Sequence, residues 1–163
     1  MQLLGMAHWD IPPSPQVRHN PGSRGCPKIF QFREIIRTLP HLIAIRDTAL
    51  LQRLAPLCTT GRFIEQACFA VAIVTDPANR WHEIDGARAV QNMELAGWNE
   101  GVGTCWIGGL ERDQIKELLA IPPHLHLLTM LPFGYPTEPD APRRRTKKRP
   151  EEIVHWDRFG QGR

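Results

Sequence analysis

The sequence predicts one domain of the α/β or α+β class, in which helices cover a β-sheet. Apolar segments with strand-like and helix-like patterns alternate along most of the chain, and its 163 residues are enough for a single substantial core. An apolar fraction of 42% and a charged fraction of 23% are typical of a globular protein. No apolar run approaches the roughly 20 residues that span a bilayer.

The two ends of the chain differ from its middle. Residues 1–27 predict an irregular or disordered N-terminal arm, because they hold five prolines and show no apolar period. Residues 28–163 predict a single domain, in which 141–163 form a basic C-terminal extension. The net charge is a mild +3, and much of the positive excess lies in that extension.

Cysteine usage and the N-terminal sequence favour a cytoplasmic protein. The four cysteines lie far apart and form no CxxC pair, so we expect neither a disulfide framework nor a zinc site. The chain starts without a basic segment followed by an apolar one, so we expect no secretory signal.

The first half of the domain alternates helix and strand. Helical spacing of apolar residues predicts a helix over Ile29–Thr38. His41–Arg46 predicts a short buried strand, and Asp47 or Thr48 can then cap the helix ALLQRLAPL. Cys68–Thr75 is almost wholly apolar, which predicts a strand covered on both faces.

The second half repeats this alternation. Glu83–Trp98 predicts the longest helix, whose small residues would let neighbouring elements approach closely, and the glycines after it predict its end. A strand is predicted over Thr104–Ile107, a helix over Arg112–Leu119 and a strand over Leu125–Phe133.

A glycine doublet, Gly108-Gly109, stands where the strand Thr104–Ile107 ends. Glycine has no Cβ, so its backbone can closely approach a flat ligand, and exposed N–H groups there can donate to an acceptor-rich ring. The alternative is that these glycines simply turn the chain after a core strand.

Three segments together resemble the nitroreductase family: AVQNMELAGWNEGVGTCWIGG, IKELLAIPPHLHLLTMLPFGYPTEP and RPEEIVHWDRFG. The order of elements and the gaps between them agree over roughly Leu42 to Gly160. The resemblance implies an α+β fold of the three-layer type, with a central mixed sheet flanked by helices. It also implies an FMN-dependent homodimer that passes a hydride from NAD(P)H, through the flavin, to a nitroaromatic, quinone or similar acceptor.

The resemblance further implies where FMN lies. The turn would lie against the isoalloxazine ring, with Trp106 and Ile107 as apolar wall, and Lys147 or else Arg149 would contact the phosphate. The implied cofactor-binding residues are Trp106, Ile107, Gly108, Gly109, Lys147 and Arg149. No side chain is assigned a catalytic role, because the flavin carries the chemistry in this family.

Other charged and metal-binding patterns have simpler explanations. Six of the seven residues in 143–149 are cationic, and most of this run is typical of a solvated tail. Nucleic-acid binding is the less favoured alternative, because no aromatic residues alternate with the basic ones. His124 and His126 would share a strand face, but no acidic or Cys partner stands at ligand spacing, so we expect no metal site. Because no apolar run is long enough to span a bilayer, we also expect no membrane association.

The chain departs from the family pattern at its N-terminal end. FREIIRT resembles the family's first helix, yet it runs directly into HLIAIRD, so tens of residues that usually separate the two are missing. A second hypothesis is therefore a degenerate relative that has lost tight flavin binding and acts as a non-catalytic binding or scaffold protein. The physiological acceptor and the choice between NADH and NADPH stay open.

Overall fold

The computed structural model describes residues 40–135 and 148–161 of the chain. The predicted arm at 1–27, the predicted helix at Ile29–Thr38 and Lys147 lie outside the described residues. The domain boundaries therefore stay predictions, while the elements between 40 and 135 can be compared one by one.

A four-stranded sheet forms the centre of the described fold. Its strands are β1 (His41–Ile45), β2 (Phe69–Thr75), β3 (Gly103–Thr104) and β4 (His126–Gly134). Their order in the sheet is β1-β2-β4-β3, and β2 pairs with β1 on one side and β4 on the other. Three of the four predicted strands are confirmed to within one residue at each end. The predicted burial of the first is wrong, because β1 lies at the edge of the described sheet and only its Ile45 is buried.

Within the described part of the chain, three α-helices flank this sheet: α1 (Thr48–Leu54), α2 (His82–Asn99) and α3 (Arg112–Leu118). The capping expectation for α1 is confirmed, because an oxygen of Asp47 accepts a hydrogen bond from the N–H of Ala49 at 2.9 Å. Short 3₁₀ turns cover Ala55–Leu57, Arg62–Gln66 and Pro150–Glu152. No helix in the described ranges has both the length and the apolar character needed to cross a membrane.

The side chains of β2 divide the core between two layers. Alternate residues point to opposite faces of a strand, so Ala70 and Ala72 join a cluster with α1 and α3. Val71 and Ile73 join a second cluster with α2 on the other face. Helices thus cover the sheet on both sides, which confirms the predicted α+β class and explains why β2 is apolar throughout.

The edge of the sheet differs from what the sequence predicts. A strand is expected over Thr104–Ile107, but β3 ends at Thr104, and Ile107 returns to the sheet as a single bridge opposite Met130. The two residues between them leave the edge, and Trp106 is exposed. All three pairings among the described strands are antiparallel, whereas the predicted mixed sheet would include parallel pairing as well.

Helix α2 packs on the sheet through its glycines. A Cβ built on Gly86 would lie 2.5 Å from the Cδ2 atom of Leu128, and one on Gly97 would lie 3.6 Å from the ring of Phe133. The absence of these side chains lets the helix approach β4 closely. The chain then turns at Gly101, whose φ of +72° lies in the left-handed region that favours glycine.

Cys58 directly follows the 3₁₀ turn Ala55–Leu57 and is fully buried, which leads to a prediction. Burial raises the pKa of the Cys58 thiol from 9.0 to about 12. At pH 8 we expect alkylating reagents to label the exposed Cys68 at least about tenfold faster than Cys58 in the folded chain. Peptide mapping by mass spectrometry after timed labelling measures both rates.

The same pKa predicts a pH dependence of stability. Above pH 9 the unfolded chain loses the Cys58 proton while the folded chain keeps it, so unfolding becomes easier as pH rises, by up to about 1.4 kcal/mol per pH unit. A Cys58→Ala variant lacks this contribution. Equal slopes for the two proteins between pH 9 and pH 11, or equal labelling of the two thiols, would contradict the assignment.

Candidate functional site

The predicted ligand-binding turn, Trp106–Gly109, lies at the sheet edge beside β4. Two hydrogen bonds attach it there. The N–H of Ile107 donates to the carbonyl oxygen of Met130 at 3.2 Å. The hydroxyl of Thr129 donates to the carbonyl oxygen of Ile107 at 2.9 Å. The backbone of the turn is therefore fixed to the central strand pair.

The two large side chains of the turn point to different environments. Ile107 is 1% exposed and belongs to the core cluster on the α1 side of the sheet. Trp106 is 39% exposed and is the large apolar side chain that the turn presents to solvent. The sequence predicts that both residues form an apolar wall beside a ligand. Of the two, only Trp106 is exposed, because the side chain of Ile107 is buried in the core.

Gly108 presents an open stretch of backbone. Among the described residues, and apart from its two chain neighbours, no heavy atom comes within 4 Å of the position that a Cβ would occupy, and Gly108 is exposed. Within the described ranges its N–H donates no hydrogen bond to another residue. A backbone N–H that is both uncovered and unpaired is available to an acceptor on a ligand.

Gly109 is enclosed by the chain itself. A Cβ there would overlap with the side chains of Thr59 and Thr60. Its N–H donates to the hydroxyl of Thr60 at 2.9 Å. The sequence favours two exposed donors at this doublet, whereas the structure uses one of them internally and leaves the other open.

The loop that contacts Gly109 was not predicted to be part of the site. Its backbone is joined to the turn region, because the N–H of Glu111 donates to the carbonyl oxygen of Leu57 at 2.9 Å. Gly61 packs so closely on Ile107 that a Cβ would overlap with that side chain. In the sequence, Gly61 is the one residue that could have indicated a close backbone approach in this loop.

Arg149, one of the two residues predicted to contact a phosphate, lies in the described C-terminal segment. Arg149 is exposed, and its Nε atom donates to an oxygen of Glu152 at 2.9 Å within the same short 3₁₀ segment. Every described residue of 148–161 is exposed, including Phe159 at 92%. The contact of Arg149 with a phosphate therefore stays a prediction.

A second group of polar residues surrounds a cavity of about 410 Å³ where β2 ends and α2 begins. The hydroxyl of Thr75 and the Nδ1 atom of His82 share a hydrogen bond at 2.9 Å there. Burial, aided by the charge of Arg112, lowers the pKa of the nearby His126, and Glu83 opposes this shift. Among the described residues, no group of three His, Cys, Asp or Glu side chains could hold a metal ion.

Comparison with known sequences identifies relatives of this arrangement. Residues 32–135 match the profile of the group described as "Nitroreductase family". An Archaeoglobus fulgidus protein named "Putative NADH dehydrogenase/NAD(P)H nitroreductase" is 28% identical over 108 residues, which cover 60% of this chain and 62% of that protein. A Bacillus subtilis protein named "FMN reductase (NADPH)" is 38% identical over 78 residues, 47% of this chain and 30% of that protein. The chain spans less than two thirds of the length of these curated relatives.

Solved structures share the fold. One from Clostridium difficile, described as an FMN-dependent nitroreductase, superposes with a TM-score of 0.63 at 23% identity, over 74% of this chain and 76% of that one. Another, described as a nitroreductase family protein from Clostridium novyi, superposes with a TM-score of 0.59 at 24% identity, over 77% and 74% of the two chains. At this level of identity, the likeness concerns the fold alone.

Proposed function

The chain belongs to the nitroreductase family, because residues 32–135 match the profile of that family, and we propose that it is an FMN-dependent oxidoreductase. Bound FMN would accept a hydride from NAD(P)H and pass it to a nitroaromatic, quinone or similar acceptor. The observation that carries the proposal is the open backbone N–H of Gly108 at the sheet edge, which lies within the matched segment.

The residues of the turn fit one edge of a flavin ring. The space above Gly108 admits a flat group, and its N–H can donate to an acceptor atom of the ring. A donor fixed in place before the ligand binds stabilises electron density at that edge without any rearrangement. The exposed face of Trp106 adds apolar surface beside it.

The phosphate contact is proposed for the basic extension. A dianionic phosphate needs fixed cations, and Lys147 or Arg149 would provide them. Because Arg149 is exposed and its partner Glu152 stands on the same short segment, this ion pair is solvent-screened and readily exchanged for a phosphate.

A homodimer is the proposed assembly, with the flavin site at the interface. Helix α2 exposes Ile84, Leu95 and Trp98, which is unusual for the outer face of a helix in an isolated domain. A second copy of the chain packed on this face would cover them. The aromatic residues of the extension, Trp156 and Phe159, are suited to the same role.

A non-catalytic scaffold is the second candidate, and one contact favours it. The N–H of Gly109 is already bound to the hydroxyl of Thr60. This contact removes a donor that a tight flavin site could use. At about 1.5–3 kcal/mol for a hydrogen bond to a charged group, losing even one phosphate contact could weaken binding tenfold or more.

Anaerobic reduction of the bound flavin tests the proposed function. Protein reconstituted with FMN and freed from excess should lose its flavin absorbance when NADH or NADPH is added, and regain it when a quinone is supplied. Free FMN at equal concentration, treated identically, is the control. Bound FMN that is reduced no faster than free FMN would favour the scaffold instead.

A further inference from the structure

Thr129 is an exception within the central strand. Its neighbours on β4 are apolar, and its side chain is fully buried. Among the described residues, Thr75 is the other buried polar side chain. A buried hydroxyl is tolerated when it forms a hydrogen bond, and that of Thr129 donates to the carbonyl oxygen of Ile107 at 2.9 Å, with Met130 as a weaker acceptor at 3.3 Å.

This hydrogen bond determines the direction of the Gly108 N–H. The described chain contains no cis peptide bond. In a planar trans peptide the C=O of one residue and the N–H of the next point in opposite directions. Because Thr129 holds the oxygen of Ile107 toward the buried strand, the N–H of Gly108 must point away from that strand.

A second hydroxyl holds the following peptide unit. Thr60, from the loop after α1, accepts a hydrogen bond from the N–H of Gly109 at 2.9 Å. Both peptide planes next to Gly108 are thus attached to threonine hydroxyls from separate parts of the fold. Gly108 would otherwise have the widest conformational freedom of any residue type.

We propose that Thr129 is a positioning residue that directs the Gly108 N–H at the edge of the flavin ring, with Thr60 holding the other side of the turn. The proposal rests on the proposed flavin function. Thr129 touches neither the ligand nor the reacting atoms and acts through the backbone of Ile107. Its hydroxyl fixes the backbone of a flexible glycine, so that the N–H of this glycine becomes a donor with a fixed direction. A donor stabilises developing charge best when its direction is fixed in advance.

Three variants separate positioning from packing. Thr129→Val has nearly the same shape and lacks the hydroxyl, and Thr129→Ser keeps the hydroxyl. Thr75→Val is the matched control, because Thr75 is equally buried in the same sheet but forms its hydrogen bond with His82. Far-UV circular dichroism checks that each variant is folded.

The first measurement requires no flavin. In ¹H–¹⁵N spectra of the FMN-free chain, the Gly108 amide resonance should move in Thr129→Val and stay near its wild-type position in Thr129→Ser and Thr75→Val. A Gly108 resonance that does not move in Thr129→Val would overturn the positioning role, whatever the flavin does.

The second measurement uses the reconstituted protein. We expect Thr129→Val to bind FMN about fivefold more weakly, the factor for one ordinary hydrogen bond, and to give a more negative flavin reduction potential. Thr129→Ser should restore both values. If Thr129→Val bound FMN with the same affinity and the same flavin reduction potential as the wild type, only the positioning role of Thr129 would be overturned. If the wild-type chain itself bound no FMN, the proposed function would be rejected.

Discussion

A chain in which valine replaces Gly108 is expected to bind FMN at least about tenfold more weakly than the wild type while unfolding at the same urea concentration. The two effects separate because, chain neighbours apart, no heavy atom in residues 40–135 or 148–161 comes within 4 Å of the added Cβ. The new side chain would instead occupy the space assigned to the ligand. A tenfold loss corresponds to about 1.4 kcal/mol of binding free energy.

The neighbouring glycine provides the matched comparison. Gly109→Ala places a Cβ against Thr59 and Thr60, so it should lower both the stability of the fold and the affinity for FMN. Flavin fluorescence titration and urea unfolding measure the two quantities. If Gly108→Val bound FMN as tightly as the wild type, the open face of Gly108 would not be the ligand site.

Phe133→Ala is expected to lower the free energy of unfolding by about 3–5 kcal/mol, the usual range for a fully buried phenylalanine. Phe133 is 0% exposed and stacks on Phe69, with ring centroids 4.7 Å apart. Its ring also fills the space beside Gly97, where α2 approaches the sheet. Since a typical domain has only about 5–15 kcal/mol of stability, this variant would be near its unfolding threshold at room temperature.

Two substitutions test whether the loss comes from burial. Phe133→Leu retains most of the apolar volume and should cost less than half as much as Phe133→Ala. Phe69→Ala removes the partly exposed member of the stacked pair and should also cost less. Urea unfolding followed by tryptophan fluorescence provides all the values. A loss below about 1 kcal/mol in Phe133→Ala would mean that this cluster does not hold α2 on the sheet.

The regular elements were predictable because their causes lie within each segment. An apolar run such as that of β2 can be buried on both faces only as a central strand. The small residues of α2 predict a close helix-to-sheet approach, which Gly86 then shows. These patterns depend on residues close together in the sequence.

The geometry of the site was less predictable, because it depends on residues far apart in sequence. The glycine doublet marks the turn, but nothing in its vicinity indicates that Thr60, 49 residues earlier, uses the N–H of Gly109. Likewise, a threonine within an apolar strand gives no sign that it holds the carbonyl of Ile107, 22 residues away. The early end of β3 at Thr104 was unpredictable for the same reason, because the end of this edge strand depends on its pairing with β4.

Titration of the FMN-free chain with FMN, followed by the flavin absorption spectrum, tests the central claim most directly. We expect the flavin bands to shift from those of free FMN and the change to saturate at one FMN per chain. The Gly108→Val variant should need about ten times more FMN to reach the same half-saturation. A spectrum that remains that of free FMN at every protein concentration would contradict the assignment of this turn as a flavin site.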